Sequence, residues 1–485
     1  MINYKAINIL KGLTKKEILR FEKFLLSPFY NNNKKLLLLY NYLRKFYPEF
    51  DSSSFTKENI YRHVFGNDIF SDENLRKLFS DFYKLGEKYL VTLNLEKNKF
   101  DYDRYLLDEL DWRKIDNIFL SKFKEKEKQF EKSEFNYQTF YYDYLMKWQI
   151  VSFHLDRGEQ YKITGDVFER TEQLIFYFLS DLFISLNDID VNKNTFNYNP
   201  KINLPEKFIE LLDLESLYQY IRDNNFKNKD LFSMYYNLFL MNKNRTDESY
   251  FFELKDQLEK NFERLSIRSK MHFILRMISM CNRYINLNKS TKFHEIKLDL
   301  YDKILKYKLY KTNQNYFRSD LFLNLFIEYI SYKNTSDAEL FFKENIKSIS
   351  PAHIYKLQSL CSALLLFEEG KFLESLEICS RINTNLLTVK IILRKLLLKI
   401  FYEVKDYDGN KDEIKNFRQF ISNSKLLNET HKSSLQNFIK LFNDLVNLKN
   451  DPEDEFLNYT LKSNTEHIID TSDRDWFRNK ISELN

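Results

Sequence analysis

Residues Leu357–Tyr407 read LQSLCSALLLFEEGKFLESLEICSRINTNLLTVKIILRKLLLKIFYEVKDY. Leu357, Leu360, Cys361, Leu364 and Phe367 recur at the spacing of one helix face. Glu368-Glu369-Gly370 interrupts the run, and glycine readily takes the left-handed conformation that ends a helix. Phe372, Leu373, Leu376, Cys379 and Ile382 then mark a second helix. The pattern returns 35 residues later. Leu365-Leu366-Phe367-Glu368 and Lys371-Phe372 come back as Ile400-Phe401-Tyr402-Glu403 and Asp406-Tyr407. A self-match at about 34 residues is the signature of stacked helix–turn–helix units, none of which buries its apolar face alone.

The stretch resembles the tetratricopeptide (TPR) repeat. Ala363 stands where that family places a small residue, and Gly370-Lys371-Phe372 resembles its Gly-Asp-Tyr turn. Three features depart from the pattern: Ser375 replaces the usual alanine, Lys405 replaces the second turn glycine, and Gly409-Asn410 reads as a small insertion. The match covers about 70 residues, so the repeat is TPR-like and degenerate. Ser27-Pro28-Phe29-Tyr30-Asn31 and Asp475-Trp476-Phe477 also resemble a group of uncharacterised bacterial all-helical proteins, a resemblance that implies no activity.

Working outward, no period-two apolar alternation is long enough for a strand, so the expected class is all-α. The expected architecture is a TPR-like helical-repeat superhelix preceded by an N-terminal helical domain. Residues 1–100 form a basic helical domain with 18 Lys/Arg against 11 Asp/Glu. Thr14-Lys15-Lys16-Glu17 reads as a capping box, and Pro28 and Pro48 stop helices. A short helix after Thr56, the Gly66-Asn67-Asp68 turn and a long helix after Ser71 follow. Residues 101–225 form a helical middle region, with a linker near 187–205 suggested by Asn, Asp, Pro200 and Pro205. Residues 226–450 carry the repeats. Residues 451–485, opened by the acidic Asp451-Pro452-Glu453-Asp454-Glu455, form a helical cap.

Composition narrows the function. The 485 residues carry a net charge of +5, too weak by itself for a nucleic-acid binder. Three cysteines without a C-x-x-C pair fit small buried thiols in a reducing compartment. No apolar run reaches the ~20 residues that span a bilayer, and Met1–Leu13 holds no signal-peptide core. The expectation is therefore a cytoplasmic protein without a membrane span.

Motifs for chemistry are missing. The seven histidines are scattered, and seven glycines form no phosphate-cradling loop. Asp188, Asp190, Asn192 and Asn194 have the spacing of a calcium loop. Lys193 stands at its glycine position and Asn199 at its glutamate position, so the loop fails. Glu466, His467 and Asp470 form the nearest cluster and read as a solvated helix face. No cofactor and no metal are expected, and the protein is expected not to be an enzyme.

The expected function is a protein–protein interaction scaffold or adaptor that takes an unknown protein or peptide in a TPR-like groove. By helical phase, Tyr355, Gln358, Lys390 and Arg394 are its candidate partner-binding residues. The alternative is a nucleic-acid-associated regulator whose N-terminal domain meets phosphates through Arg76, Lys77 and Lys84. Those three lie on a pair of helices with a short turn, which reads either as a DNA-binding motif or as a plain helix hairpin burying Leu75, Leu78, Phe79 and Phe82. A third possibility is an enzyme site assembled from dispersed residues.

Overall fold

The structure, a computed structural model, describes residues 4–196, 200–288, 292–311, 316–332, 334–450, 454–466 and 471–484. The described residues are mainly helical. They contain no β-strand, only isolated bridges such as Phe317 with Ile349. The all-α expectation therefore holds. Contacts divide the chain into two compact units: Met1–Lys132 with Met146–Asp166, and Ser133–Leu145 with Val167–Asn485.

The first unit opens with α1 (Lys5–Gly12), α2 (Lys15–Leu26), α3 (Lys34–Leu43), α4 (Lys57–Phe65) and α5 (Asp72–Lys97). The starts of α2 to α5 are set by side chains that satisfy free backbone N–H groups. The Thr14 capping box is complete: the Thr14 N–H donates to Glu17 Oε2 at 2.9 Å, and the Glu17 N–H donates to Thr14 Oγ1 at 3.3 Å. Thr56 and Ser71 cap α4 and α5 in the same way. Phe21, Tyr40, Phe79 and Phe82 fill the core between these helices, and the Tyr40 hydroxyl donates to the Ile18 carbonyl at 2.6 Å. The face of Leu75, Leu78, Phe79 and Phe82 is buried, as a helix hairpin requires. A second, smaller core gathers Leu107, Leu110, Phe119, Phe123 and Phe153 from α6 (Lys99–Trp112), α7 (Asp116–Glu131) and the later part of α8 (Gln138–Leu155).

The second unit contains the start of α8, most of α9 (Thr164–Phe196), α10 (Leu204–Leu211) and α11 (Leu214–Asp223). It continues with α12 (Lys229–Lys243), α13 (Ser249–Asn261), α14 (Ile267–Asn288), α15 (Lys292–Lys306), α16 (Ser319–Tyr332) and α17 (Thr335–Asn345). It ends with α18 (Pro351–Glu368), α19 (Phe372–Ser380), α20 (Leu387–Glu403), α21 (Tyr407–Asn423), α22 (Glu429–Asn450), α23 (Glu455–Thr465) and α24 (Thr471–Glu483). Neighbours in sequence pack as pairs: α12 with α13, α14 with α15, α16 with α17, α18 with α19, and α20 with α21. The first helix of one pair also touches the first helix of the next, α16 against α18 and α18 against α20.

The 35-residue self-match survives in detail. After α18, Gly370 adopts φ +76°, and the Lys371 N–H donates to the Leu366 carbonyl at 2.9 Å. After α20, Lys405 adopts φ +61°, and the Asp406 N–H donates to the Phe401 carbonyl at 2.9 Å. This is one Schellman cap built twice, once with lysine in the left-handed position that suits glycine. The buried ties also repeat. Ser375 Oγ donates to the Ala363 carbonyl at 2.7 Å, and 35 residues on the Asn410 carboxamide donates to the Leu398 carbonyl at 3.1 Å. Gly409-Asn410 is thus no insertion; both residues lie in the first turn of α21. Gly409 sits so close to the capping Asp406 that a Cβ would lie 2.5 Å from its carboxylate.

Two positions differ from the sequence reading. Residues 187–196, expected in a linker, continue α9, and the two compact units cut across the four expected segments. Two arginines later in the chain neutralise the acidic run and remove its reason to stay in solvent: Asp188 pairs with Arg276 of α14 at 2.5 Å, and Asp190 pairs with Arg245 in the turn after α12. Segment 451–453, His467, Asp470 and Asn199 lie outside the described residues.

Candidate functional site

Two concavities lie on the second unit, on opposite faces of α20. The first, about 280 Å³, runs between α16, α18 and α20 on one side and α24 on the other. Its floor is apolar, with Ile327, Ile330, Leu364, Phe367, Ile392 and Leu396. Helix α24 crosses these first helices and is held by charge. Asp473, whose side chain is only 4 % exposed, accepts from Lys399 Nζ at 2.8 Å and also from Lys395. One turn on, the Trp476 indole N–H donates to Glu403 Oε1 at 3.3 Å, and Lys480 pairs with Glu403 at 3.0 Å. Trp476 stacks parallel on Phe442 with ring centres 5.8 Å apart, and fully buried Phe477 meets Phe438 edge-on. Asp473, Trp476 and Lys480 recur at i, i+3 and i+7, so one stripe of α24 makes all these contacts.

The second concavity, about 480 Å³, lies between α20 and α21 and the turns beside them. Lys390 and Arg394 come from α20; Asn416, Gln419, Phe420 and Asn423 come from α21; Asn385 and Lys425 come from the turns. Arg394 pairs with Glu413 at 2.7 Å and lies 5.3 Å from the centre of the Phe420 ring. Burial pushes the Glu413 carboxyl above the usual carboxylate range, against the pull of Arg394. Among the described residues, neither Lys390 nor Lys425 meets a carboxylate.

The sequence candidates are thereby sorted. Lys390 and Arg394 meet in the second concavity. Tyr355 and Gln358 stand exposed on α18 and line neither concavity. Tyr355 and Gln358 point away from the face of α18 that carries Leu364 and Phe367. Sequence phase alone does not say which face of a helix meets its neighbours. Lys395, Lys399, Asp473 and Trp476 were missed; their only sequence signal is the i, i+4 lysine spacing and the Asp-x-x-Trp pattern. In the first unit, Lys77 and Lys84 are exposed on one side of α5, and Arg76 is paired with Asp72.

A buried ionisable group lies between α15 and α16. Lys297 of α15 and Glu328 of α16 pair at 2.5 Å with about 9 % exposure each, and His294 lies beside them. Among the described residues, no three His, Cys, Asp or Glu side chains converge to hold a metal ion. No helix in the described residues is long and apolar enough to cross a membrane. Compared with known proteins, the chain matches no family model, no curated protein and no solved structure.

Proposed function

We propose that the second unit is a partner-binding scaffold, a TPR-like helical-repeat array whose first helices form a docking face for helical or extended segments. The carrying observation is α24 itself. An amphipathic helix lies across α16, α18 and α20, its carboxylate held by two lysines and its indole among aromatic rings. That is helix-in-groove recognition, performed within one chain. The repeated turn and the repeated buried tie support the repeat reading.

The test is affinity capture of full-length protein at mild salt, with and without nuclease, beside the variant Ser331→Arg. That change fills the concavity next to α24. Stoichiometric proteins that survive nuclease and are lost from the variant are the expected result. Retention of no protein, or equal retention by the variant, overturns the reading.

A second reading has one observation in its favour. Among the described residues Lys77 and Lys84 make no ion pair, and they stand on an exposed face of α5 in a segment with an excess of seven positive charges. Phosphate contact through Arg76, Lys77 and Lys84 would show as nucleic acid that elutes steeply with salt, by counterion release.

A further inference from the structure

We propose that the concavity between α20 and α21 is a binding site for an acidic peptide segment, centred on Lys390, Arg394 and Lys425. The inference rests on the scaffold reading and names the chemistry of one partner.

The argument compares the two faces of α20. On one face Lys395 and Lys399 converge on Asp473, so the molecule satisfies that pair of cations with its own carboxylate. On the other face Lys390 is half-buried beside Arg394, and Lys425 stands across the opening. Among the described residues, these two lysines have no counterion, and Arg394 has Glu413 alone. Lysines brought together at a concave surface repel one another unless an anion joins them. An incoming carboxylate therefore gains charge-assisted hydrogen bonds without first breaking an ion pair of either lysine.

The rest of the lining favours a peptide over other anions. Asn416, Gln419 and Asn423 fall on one side of α21 at i, i+3 and i+7, and Asn385 faces them from the turn before α20. None of the four carboxamides is hydrogen-bonded through its side chain within the described residues. A carboxamide presents one donor group and one acceptor, the complement of a peptide backbone. Phe420 and Leu426, the latter 66 % exposed, supply apolar surface for neighbouring side chains. Three cations are too few to track a nucleic-acid backbone, which demands a longer basic surface. Leu426 stands exposed at the edge of the concavity, so the site is an open surface and does not close around a ligand.

The experiment pans a phage-displayed random peptide library against the full-length protein. Recovered peptides are then measured by fluorescence anisotropy against wild type, the double variant Lys390→Glu/Lys425→Glu and the control Lys16→Glu, an exposed lysine of α2. Among the described residues the two lysines make no ion pair that their reversal would break, and circular dichroism checks that both variants stay folded. The expected result is enrichment of Asp and Glu in the recovered peptides, with binding weakened about tenfold or more in the double variant and unchanged in the control. Recovered peptides without acidic enrichment overturn the proposal. So do acidic peptides that bind the double variant as wild type, and in both cases the scaffold reading stands because peptides are still bound. A library that yields no binder overturns this proposal, while the scaffold reading is decided separately by the capture experiment with Ser331→Arg. Displacement of the peptides by a single-stranded oligonucleotide, abolished by the same double variant, reassigns the site to phosphate and also overturns it.

Discussion

Lys405 shows how a single residue can depart from a repeat pattern and keep its geometry. It holds φ +61° where its counterpart is Gly370 at φ +76°, and the hydrogen bonds of the two caps match. The left-handed region costs an L-residue with a Cβ roughly 1–2 kcal/mol, against the greater unfolded-state freedom of glycine. Lys405→Gly is therefore expected to stabilise the protein by about 0.5–1 kcal/mol, read as a higher denaturation midpoint with an unchanged slope. Lys114 and Lys308 adopt the same conformation after α6 and α15, with matching cap bonds to Leu110 and Ile304. Glycine at either should act in the same direction. A lysine that destabilised the chain on replacement by glycine would mean that its side chain, and not the turn, is what the position needs.

At the scale of the element, α24 is held by burial and charge together. Phe477 and Ile481 are buried in the core of the last helices, and Asp473 neutralises Lys395 and Lys399. Asp473→Ala removes one carboxylate and leaves two largely buried ammonium groups facing each other. The expected loss is about 3–5 kcal/mol, the range for breaking a buried pair by deleting one partner, measured by equilibrium denaturation. Helix α14 gives a pH prediction. Burial and then the charge of Arg276 depress His272 from 6.5 to about 4, with Arg268 acting in the same sense and Asp188 opposing. The unfolded chain thus binds a proton that the folded chain refuses between those values. This contribution to stability is complete above pH 6.5 and is lost as pH falls from 6.5 toward 4. His272→Gln should flatten the stability profile in that window; an unchanged profile would show that other groups govern it.

At the scale of the whole molecule, one extended core runs through the second unit from Phe135 to Ile400, and all three cysteines lie in it. Desolvation pushes Cys281 and Cys379 up to about 12 and raises Cys361 as well. Thiolate is the reactive form, so burial protects these residues twice, by access and by protonation. A thiol reagent at neutral pH is expected to label none of them in the native protein on the timescale that labels a free cysteine. All three should become reactive together when this unit unfolds. Early labelling of Cys281 alone would show that α14 opens before the rest and that the core is not one cooperative body.

The sequence by itself determined the helical class and those helix ends that carry a local signal. Apolar spacing, capping hydroxyls such as Thr14, Thr56 and Ser71, and the Gly370 turn are local signals, because a helix closes its hydrogen bonds within a few residues. The 35-residue echo was legible for the same reason: it preserves the residues that make one turn and one buried tie. Neither the continuation of α9 through residues 187–196 nor the grouping of Lys395 and Lys399 with Asp473 could be read this way. Arg245 and Arg276 neutralise Asp190 and Asp188 across more than 50 residues, and Asp473 reaches Lys395 at a separation of 78 positions. Charges so far apart in sequence leave no periodic trace. Phase placed Lys390 and Arg394 on one side of a helix; only tertiary packing decided that α21 would stand opposite them and that Tyr355 would be left outside.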